Sequence, residues 1–139
     1  MSVKIPQSHF DLINGPILVT LTTLMPDGQP QSSIVWCNSD GENVWVNTAR
    51  GRQKDKNMIA NPKVTLLALD PNDAYRYIEI RGVVDEITEV GAADHISELA
   101  GLYMNAPAYY GHVAPAELAK KETRVIYKIR PTKVRTLGG

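Results

Sequence analysis

A strand pattern and a dense group of cations adjoin in residues 44–57, VWVNTARGRQKDKN. Residues 44–48 alternate apolar and polar side chains, which is typical of a strand. Four cations then follow within seven residues, at positions 50, 52, 54 and 56, around a glycine at position 51. A strand, a tight bend, clustered cations and a helix start together supply positive charge and free backbone N–H groups. The stretch therefore predicts a phosphate-binding site, with a solvated basic helix as the alternative.

The composition of the whole chain is that of an ordinary globular protein. Its 139 residues are 43% hydrophobic and 22% charged, and we expect one domain over residues 1–139. Fifteen cations balance fifteen anions, so no overall field favours nucleic acid or an anionic membrane as a partner. Without a signal-peptide core or an apolar run near the ~20 residues that span a bilayer, a cytoplasmic protein is expected. The single cysteine, Cys37, lies in an apolar run and is predicted to be a buried structural thiol.

Strand and turn patterns predict a mainly β protein. Six strands are expected over residues 17–24, 31–38, 43–48, 63–70, 74–87 and 124–130, the first three forming a meander of antiparallel hairpins. Helices are predicted over residues 52–60 and 90–104, with short helical segments over residues 8–14, capped by Ser8, and 116–121. Gly82 is expected to mark a bulge and Pro131 to end the last strand. Six strands with few helices favour a small closed or nearly closed barrel.

The sequence lacks the familiar motifs of self-sufficient catalysis. Its three histidines, His9, His95 and His112, do not have the spacing of metal ligands. A P-loop, a dinucleotide-binding glycine pattern and a nucleophile elbow are all missing. If the protein is an enzyme, a bound cofactor is therefore expected to carry the chemistry.

The order of several short motifs resembles the pyridoxamine 5′-phosphate oxidase-like family of split β-barrel flavin-binding proteins. These motifs are D-G-x-P at residues 27–30, Q-S-S at 31–33, R-x-K-x-K-N at 52–57, N-P-K-V at 61–64 and Y-x-Y-I-E-I-R-G at 75–82. The resemblance extends from about Leu12 to Leu137. It is strongest to the branch of small proteins that use the deazaflavin coenzyme F420. It implies a six-stranded antiparallel split β-barrel with a few helices.

The resemblance also implies roles for individual residues. In a family of homodimers with two cofactor sites at the subunit interface, Arg52 and Lys54 would bind the cofactor phosphate, and Lys56 and Asn57 continue that motif. The remaining implied contacts are Gln31, Ser33, Val35 and Trp36 near the ring system, Asn47 and Thr48 near the ribityl chain and phosphate, and Ala74, Tyr75 and Tyr77 from the partner subunit.

Local patterns add two expectations about the surface. Tyr75 and Tyr77 share a strand face with Glu79 and Arg81, a half-polar face suited to an interface, although plain cross-strand packing is the alternative. The loop over residues 105–115, which contains Tyr109, Tyr110 and His112, is expected to form a wall or lid of the site. A loop simply packed on the barrel is the alternative interpretation.

The function implied by the resemblance is that of a deazaflavin-dependent oxidoreductase. Reduced coenzyme F420 would transfer a hydride to an electron-poor small-molecule acceptor, with catalytic residues unassigned and water available as the proton source. An FMN-dependent oxidoreductase of the same fold, a non-catalytic carrier of a flavin, deazaflavin or other anionic ligand, and a haem-binding relative stay open as alternatives. Pyridoxamine phosphate oxidation is disfavoured because residues 134–139 do not match the substrate-binding segment of the true oxidases.

Overall fold

The computed structural model describes residues 2–139, and its centre is one curled sheet of seven antiparallel strands. The strands are β1 (Val19–Leu24), β2 (Pro30–Val35), β3 (Cys37–Ser39), β4 (Val44–Ala49), β5 (Lys63–Asp70), β6 (Asp73–Thr88) and β7 (Arg124–Leu137). They lie in the order β2-β1-β5-β6-β7-β4-β3. Two α-helices, α1 (Gln53–Ala60) and α2 (Ala92–Met104), and two short 3₁₀ helices, Gln7–Ile13 and Ala116–Lys120, complete the fold. The predicted split-barrel class is confirmed, with seven strands instead of six.

The additional strand arises from a break at Trp36 within the predicted second strand. Residues before Trp36 pair with β1, whereas β3, after Trp36, pairs with β4 at the opposite edge of the sheet. Both hairpins are antiparallel as predicted, but the prediction that they form one meander is wrong. Because Val35 and Cys37 are separated by one residue, the two sheet edges meet here and the sheet curls into a nearly closed barrel. This closure places Trp36 at the seam.

A tyrosine of α2 stabilises this seam. The Cys37 N–H donates to the Tyr103 hydroxyl at 3.0 Å, and that hydroxyl lies 2.8 Å from the Ile17 carbonyl oxygen. Tyr103 therefore satisfies backbone groups that lose their strand partners at the break.

The core fills the concave side of the sheet. Alternate strand residues are fully buried there, and the largest of them include Leu21, Leu66, Ile78, Ile80 and Tyr127. Burying each such apolar side chain contributes about 1.5–3 kcal/mol. Cys37 belongs to this core, as predicted, and burial raises the pKa of its thiol to about 12. The thiol is therefore protonated and unreactive near neutral pH.

Strands β6 and β7 form the longest ladder, and its register changes at a glycine. The pairing shifts between Arg81 and Gly82, which confirms the predicted bulge. A Cβ at Gly82 would lie 2.7 Å from Ile129 Cγ2 and 2.8 Å from the Arg130 carbonyl oxygen. The expectation that Pro131 ends the last strand is wrong, because β7 continues to Leu137. Pro131 pairs with Gly82 at the irregularity, where a missing N–H disturbs the ladder least.

The helices follow the predicted pattern with small shifts. The segment near Ser8 is a 3₁₀ helix whose N-cap is Pro6, so the predicted capping by Ser8 is wrong. The Ser8 hydroxyl lies instead 2.8 Å from His9 Nδ1. Within residues 2–139, neither α-helix has the length and apolar character needed to cross a membrane.

Candidate functional site

A cleft of about 240 Å³ lies beside the seam at Trp36, bordered by β2, β4, α1, α2 and the start of β7. It brings together five of the residues predicted from the sequence. Its lining residues are Ile34, Val35, Trp36, Asn47, Arg52, Lys54, Ile96, Tyr109, Val113 and Arg124. We call the aromatic part of this lining the aromatic end and its cationic part the cationic end, and the two meet where Arg124 lies over the Tyr109 ring.

The cationic end combines the start of α1 with the start of β7. Gly51 adopts φ +90°, which turns the chain from β4 into α1 and places Arg52 at the helix N-cap and Lys54 in its first turn. The Lys54 side chain forms no hydrogen bond or ion pair with any of residues 2–139. Burial, followed by the charges of Arg52 and Arg124, lowers the pKa of Lys54. Three like charges thus converge on one cleft, and a bound anion would relieve their repulsion.

Arg124 is the cation that sequence analysis missed, and Asn47 fixes its position. Arg124 is buried, and its Nε donates to Asn47 Oδ1 at 2.9 Å. Asn47 in turn donates from Nδ2 to the Ala92 carbonyl oxygen at 2.9 Å, at the start of α2. Since Asn47 and Arg124 are 77 residues apart, only the pairing of β4 with β7 reveals this contact.

The same amide group of Asn47 orients a buried histidine. Asn47 Nδ2 lies 3.0 Å from His95 Nδ1, which therefore accepts, and His95 Nε2 donates to Asn38 Oδ1 at 2.8 Å. Burial, with the charge of Arg124 second, lowers the pKa of His95 to about 4. His95 is accordingly neutral near pH 7 and links α2 to β3 and β4.

A carboxylate also lies among the cations. Glu122 Oε2 is 3.2 Å from Arg52 Nη2, and Glu122 Oε1 is 3.4 Å from Arg124 Nη1. The Tyr110 hydroxyl donates to Oε1 at 2.7 Å. Burial opposes ionisation of Glu122, but the hydrogen bonds from Tyr110 and Arg52 outweigh it and lower the pKa of this carboxyl group. Two of the three cations therefore share an internal counter-ion, whereas Lys54 has none.

The aromatic end is built from the seam and the loop over residues 105–115. Trp36 stacks on Tyr103 with a centroid separation of 5.2 Å and an interplanar angle of 13°. Tyr109 approaches Trp36 edge-on at 6.2 Å, and the Arg124 guanidinium lies 5.2 Å from the Tyr109 ring centroid. Tyr109 and Val113 line the cleft, whereas His112 does not. The loop thus forms one wall of the cleft.

Arg50 and Lys56, the other two cations of residues 50–56, do not line the cleft. Arg50 is ion-paired with Asp55 at 3.0 Å and with Glu89 at 2.9 Å. The buried Asp55 also accepts hydrogen bonds from the Gly51 N–H and the Tyr127 hydroxyl. Arg50 therefore stabilises the β4–α1 turn, and Lys56 is exposed outside the cleft.

Four further predicted residues do not line the cleft. Asn57 is buried, donates to Thr23 Oγ1 at 3.0 Å and accepts from Gln53 Nε2 at 2.8 Å, so its amide supports α1 on β1. Gln31 accepts from Thr23 Oγ1 at 3.3 Å. The hydroxyls of Ser33 and Thr48 are buried and have no hydrogen-bond partner among residues 2–139.

The three residues predicted for the partner subunit lie on the outer face of the sheet, which we define as the side of β1, β2, β5 and β6 opposite the core. Ala74 and Tyr77 border a depression of about 540 Å³ there, and Tyr75 lies between them in β6. Several apolar side chains of this face are exposed: Leu18 by 59%, Ile34 by 60%, Leu69 by 42% and Tyr75 by 80%. Ile34 also lines the cleft, so the cleft opens onto the outer face.

Comparisons with known proteins place this geometry in context. The family model for pyridoxamine 5′-phosphate oxidase matches residues 5–138. A solved F420 reductase is 34% identical, with a TM-score of 0.80 and coverage of 94% of this chain and 98% of the reductase. A conserved hypothetical protein of Mycobacterium tuberculosis is 27% identical, with a TM-score of 0.74 and coverage of 98% of this chain and 86% of that protein. General Stress Protein 26 of Bacillus anthracis shares the fold. It is 20% identical, with a TM-score of 0.62 and coverage of 91% of this chain and 88% of that protein. No curated protein matches the chain.

Proposed function

Because the chain belongs to the pyridoxamine 5′-phosphate oxidase family, we propose that it is an oxidoreductase that uses coenzyme F420 to reduce an electron-poor small molecule. One observation carries the proposal: a single cleft combines aromatic rings with three converging cations. This combination matches a cofactor with a planar ring system and a phosphate-bearing side chain.

The cations fit the phosphate end of such a cofactor. Lys54 has no partner among residues 2–139, and the neighbouring charges already lower its pKa, so an anion stabilises its charged form. Arg52 and Arg124 add guanidinium groups that can bind two oxygens at once. Lys54 and Arg52 bind the phosphate in this proposal, and Asn47 acts through Arg124 as a positioning residue.

The aromatic end fits the ring system. Trp36 is held flat by its stacking on Tyr103, and Tyr109 closes the cleft from the loop. In the proposed complex the ring lies along β2 near Val35 and Trp36. When bound, the reduced deazaflavin supplies a hydride to the acceptor. The protein residues orient the ring, and we assign the proton to solvent.

The choice of coenzyme F420 over FMN is supported by a neighbour that is named an F420 reductase and is similar over 94% of this chain. FMN is the second candidate, because its single phosphate fits the same cations. Arg50 gives no support to the longer anionic tail of coenzyme F420, since its guanidinium is engaged by Asp55 and Glu89.

The proposed assembly is a homodimer formed through the outer face. Exposed Leu18, Ile34, Leu69 and Tyr75 give this face an apolar character that a second copy would cover. Ile34 connects the face to the cleft, so a partner subunit placed there could add Ala74, Tyr75 and Tyr77 to the site. The cofactor site would then comprise residues of both subunits.

Equilibrium titration of the purified protein with coenzyme F420 and with FMN, followed by fluorescence, tests the proposal. We expect tight binding of the deazaflavin, with FMN weaker. Tight FMN binding without deazaflavin binding would identify the FMN-dependent alternative instead. Turnover of enones and quinones with the reduced cofactor then separates an enzyme from a carrier. An enzyme oxidises the reduced cofactor as it reduces the acceptor, whereas a carrier binds the cofactor and leaves it reduced.

A further inference from the structure

We propose that Glu122 is a resident counter-ion which a ligand phosphate must displace, and that it thereby makes the cleft selective for strongly charged anions. The inference rests on the proposed function in one respect, namely that the natural anion is a cofactor phosphate. The carboxylate itself and its partners are properties of the chain.

The carboxylate of Glu122 already imitates a bound anion. Its two oxygens face two different guanidinium groups, Arg52 Nη2 at 3.2 Å and Arg124 Nη1 at 3.4 Å. Tyr110 supplies a third donor at 2.7 Å. A phosphate that binds both arginines through these same nitrogen atoms, Arg52 Nη2 and Arg124 Nη1, competes with the carboxylate for them.

The two arginines differ in exposure and in anchoring, which indicates how the exchange takes place. The Arg124 side chain is 4% exposed and is fixed through Nε by Asn47, whereas the Arg52 side chain is 44% exposed. Arg52 can therefore follow an incoming anion while Arg124 keeps its place. Both arginine–glutamate contacts are long for charge-assisted hydrogen bonds, so a phosphate with shorter contacts can replace them.

The charge balance explains the selectivity. Three cations and one carboxylate leave the cleft with an excess of positive charge, concentrated at the unpaired Lys54. A ligand with two or more negative charges gains from all three cations, whereas a monoanionic carboxylate gains little over Glu122 itself. Glu122 thus lowers the affinity for every anion, and it excludes the weakly charged ones most effectively.

Replacing Glu122 by glutamine is the direct test. Glu122→Gln retains the size of the side chain and an oxygen that accepts from Tyr110, but it removes the charge. We expect the dissociation constants of coenzyme F420, FMN and inorganic pyrophosphate to fall about three- to tenfold, while that of riboflavin, which has no phosphate, stays unchanged. Glu117→Gln, an exposed change of the same charge in the adjacent 3₁₀ helix, is the matched control and should have little effect.

The outcomes separate this inference from the proposed function. If flavins or deazaflavins bind but Glu122→Gln binds them no more tightly than the wild type, the counter-ion role is wrong and the proposed function stands. If neither cofactor binds any variant, yet pyrophosphate binds Glu122→Gln more tightly in calorimetry, the proposed function fails and the counter-ion role stands. Weaker pyrophosphate binding would show that Glu122 merely positions the arginines. If Glu122→Gln does not fold, Glu122→Asp is measured instead. Its carboxylate is one methylene shorter, so we expect a smaller gain in pyrophosphate affinity. A loss of pyrophosphate affinity would overturn the inference.

Discussion

Lys54 is the residue whose surroundings say most about the ligand of the cleft. It is half-buried beside two arginines, and no carboxylate among residues 2–139 neutralises it. Such an arrangement opposes folding unless another interaction offsets the repulsion, and binding of an anion is the interaction that the cleft provides.

Removing this charge should weaken ligand binding. We expect Lys54→Ala to raise the dissociation constant of the bound cofactor by about 10- to 100-fold, equivalent to ~1.5–3 kcal/mol, because a charge-assisted hydrogen bond to phosphate is lost. Lys56→Ala is the matched control, since Lys56 lies two residues away on the same helix and outside the cleft. Fluorescence titration measures both variants, and equal affinities would contradict a binding role for Lys54.

Sequence reasoning at this scale located residues of the cleft where the signal was local. The R-x-K spacing singled out Arg52 and Lys54, and both line the cleft. It could not assign Arg50, because the partners that engage it, Asp55 and Glu89, were identified only in the folded chain. Arg124 escaped notice because it is an isolated arginine at the start of a strand.

At the scale of elements, α2 contacts both the β2–β3 break and the edge of the sheet formed by β3 and β4. Tyr103 bonds to the backbone at the β2–β3 break, and His95 bonds to side chains of β3 and β4. The break itself could not be predicted, because residues 31–38 read as one continuous strand. It is imposed by closure of the sheet, which places the two ends of that run at opposite edges.

Loss of the Tyr103 hydroxyl should weaken the seam. We expect Tyr103→Phe to lower the free energy of unfolding by about 1–3 kcal/mol, because the Cys37 N–H and the Ile17 carbonyl lose a partner. Chemical denaturation measures the change, and faster hydrogen exchange at Cys37 should accompany it. Tyr75→Phe, on the exposed outer face, should change stability by no more than about 0.5 kcal/mol. Similar effects for the two variants would mean that the hydroxyl of Tyr103 is dispensable.

His95 should make the protein sensitive to mild acid. Its pKa is lowered from 6.5 to about 4 in the folded chain, so the unfolded chain binds a proton first as the pH falls. The free energy of unfolding should therefore decrease as the pH falls from 6.5 to about 4, by at most roughly 3 kcal/mol. His95→Gln should flatten this part of the pH profile when urea denaturation is repeated across the range. A profile that is unchanged in the variant would assign the acid sensitivity to other groups.

At the scale of the whole molecule, the outer face is the surface through which the proposed dimer would form. Its exposed apolar side chains and its continuity with the cleft through Ile34 support a dimer in which each subunit completes the site of the other. The order of motifs along the sequence sufficed to predict the barrel class. It did not specify the order of the strands, because neighbours such as β4 and β7 are far apart in the chain.

A charge placed on the outer face should separate the subunits. We expect Leu69→Asp to convert the proposed dimer to a monomer in light scattering, because a carboxylate would be buried without a partner. Cofactor affinity should fall with it, although Leu69 does not line the cleft. Val90→Asp, at an exposed apolar position before α2, is the control and should leave the mass unchanged. A wild-type protein that is already monomeric would refute the proposed assembly.

The pairing of β4 with β7 also has a consequence for synthesis of the protein on the ribosome. When β4 emerges from the ribosome, β7, which pairs with its second edge, has not yet been synthesised. Arg124, the partner of Asn47 in this pairing, lies 77 residues later in the chain. Until then β4 has a free edge able to pair with other chains. Completion of the barrel, and of the cleft that Arg124 helps to line, is therefore a late event that follows translation of β7, and nascent chains are most vulnerable to aggregation or proteolysis during this interval.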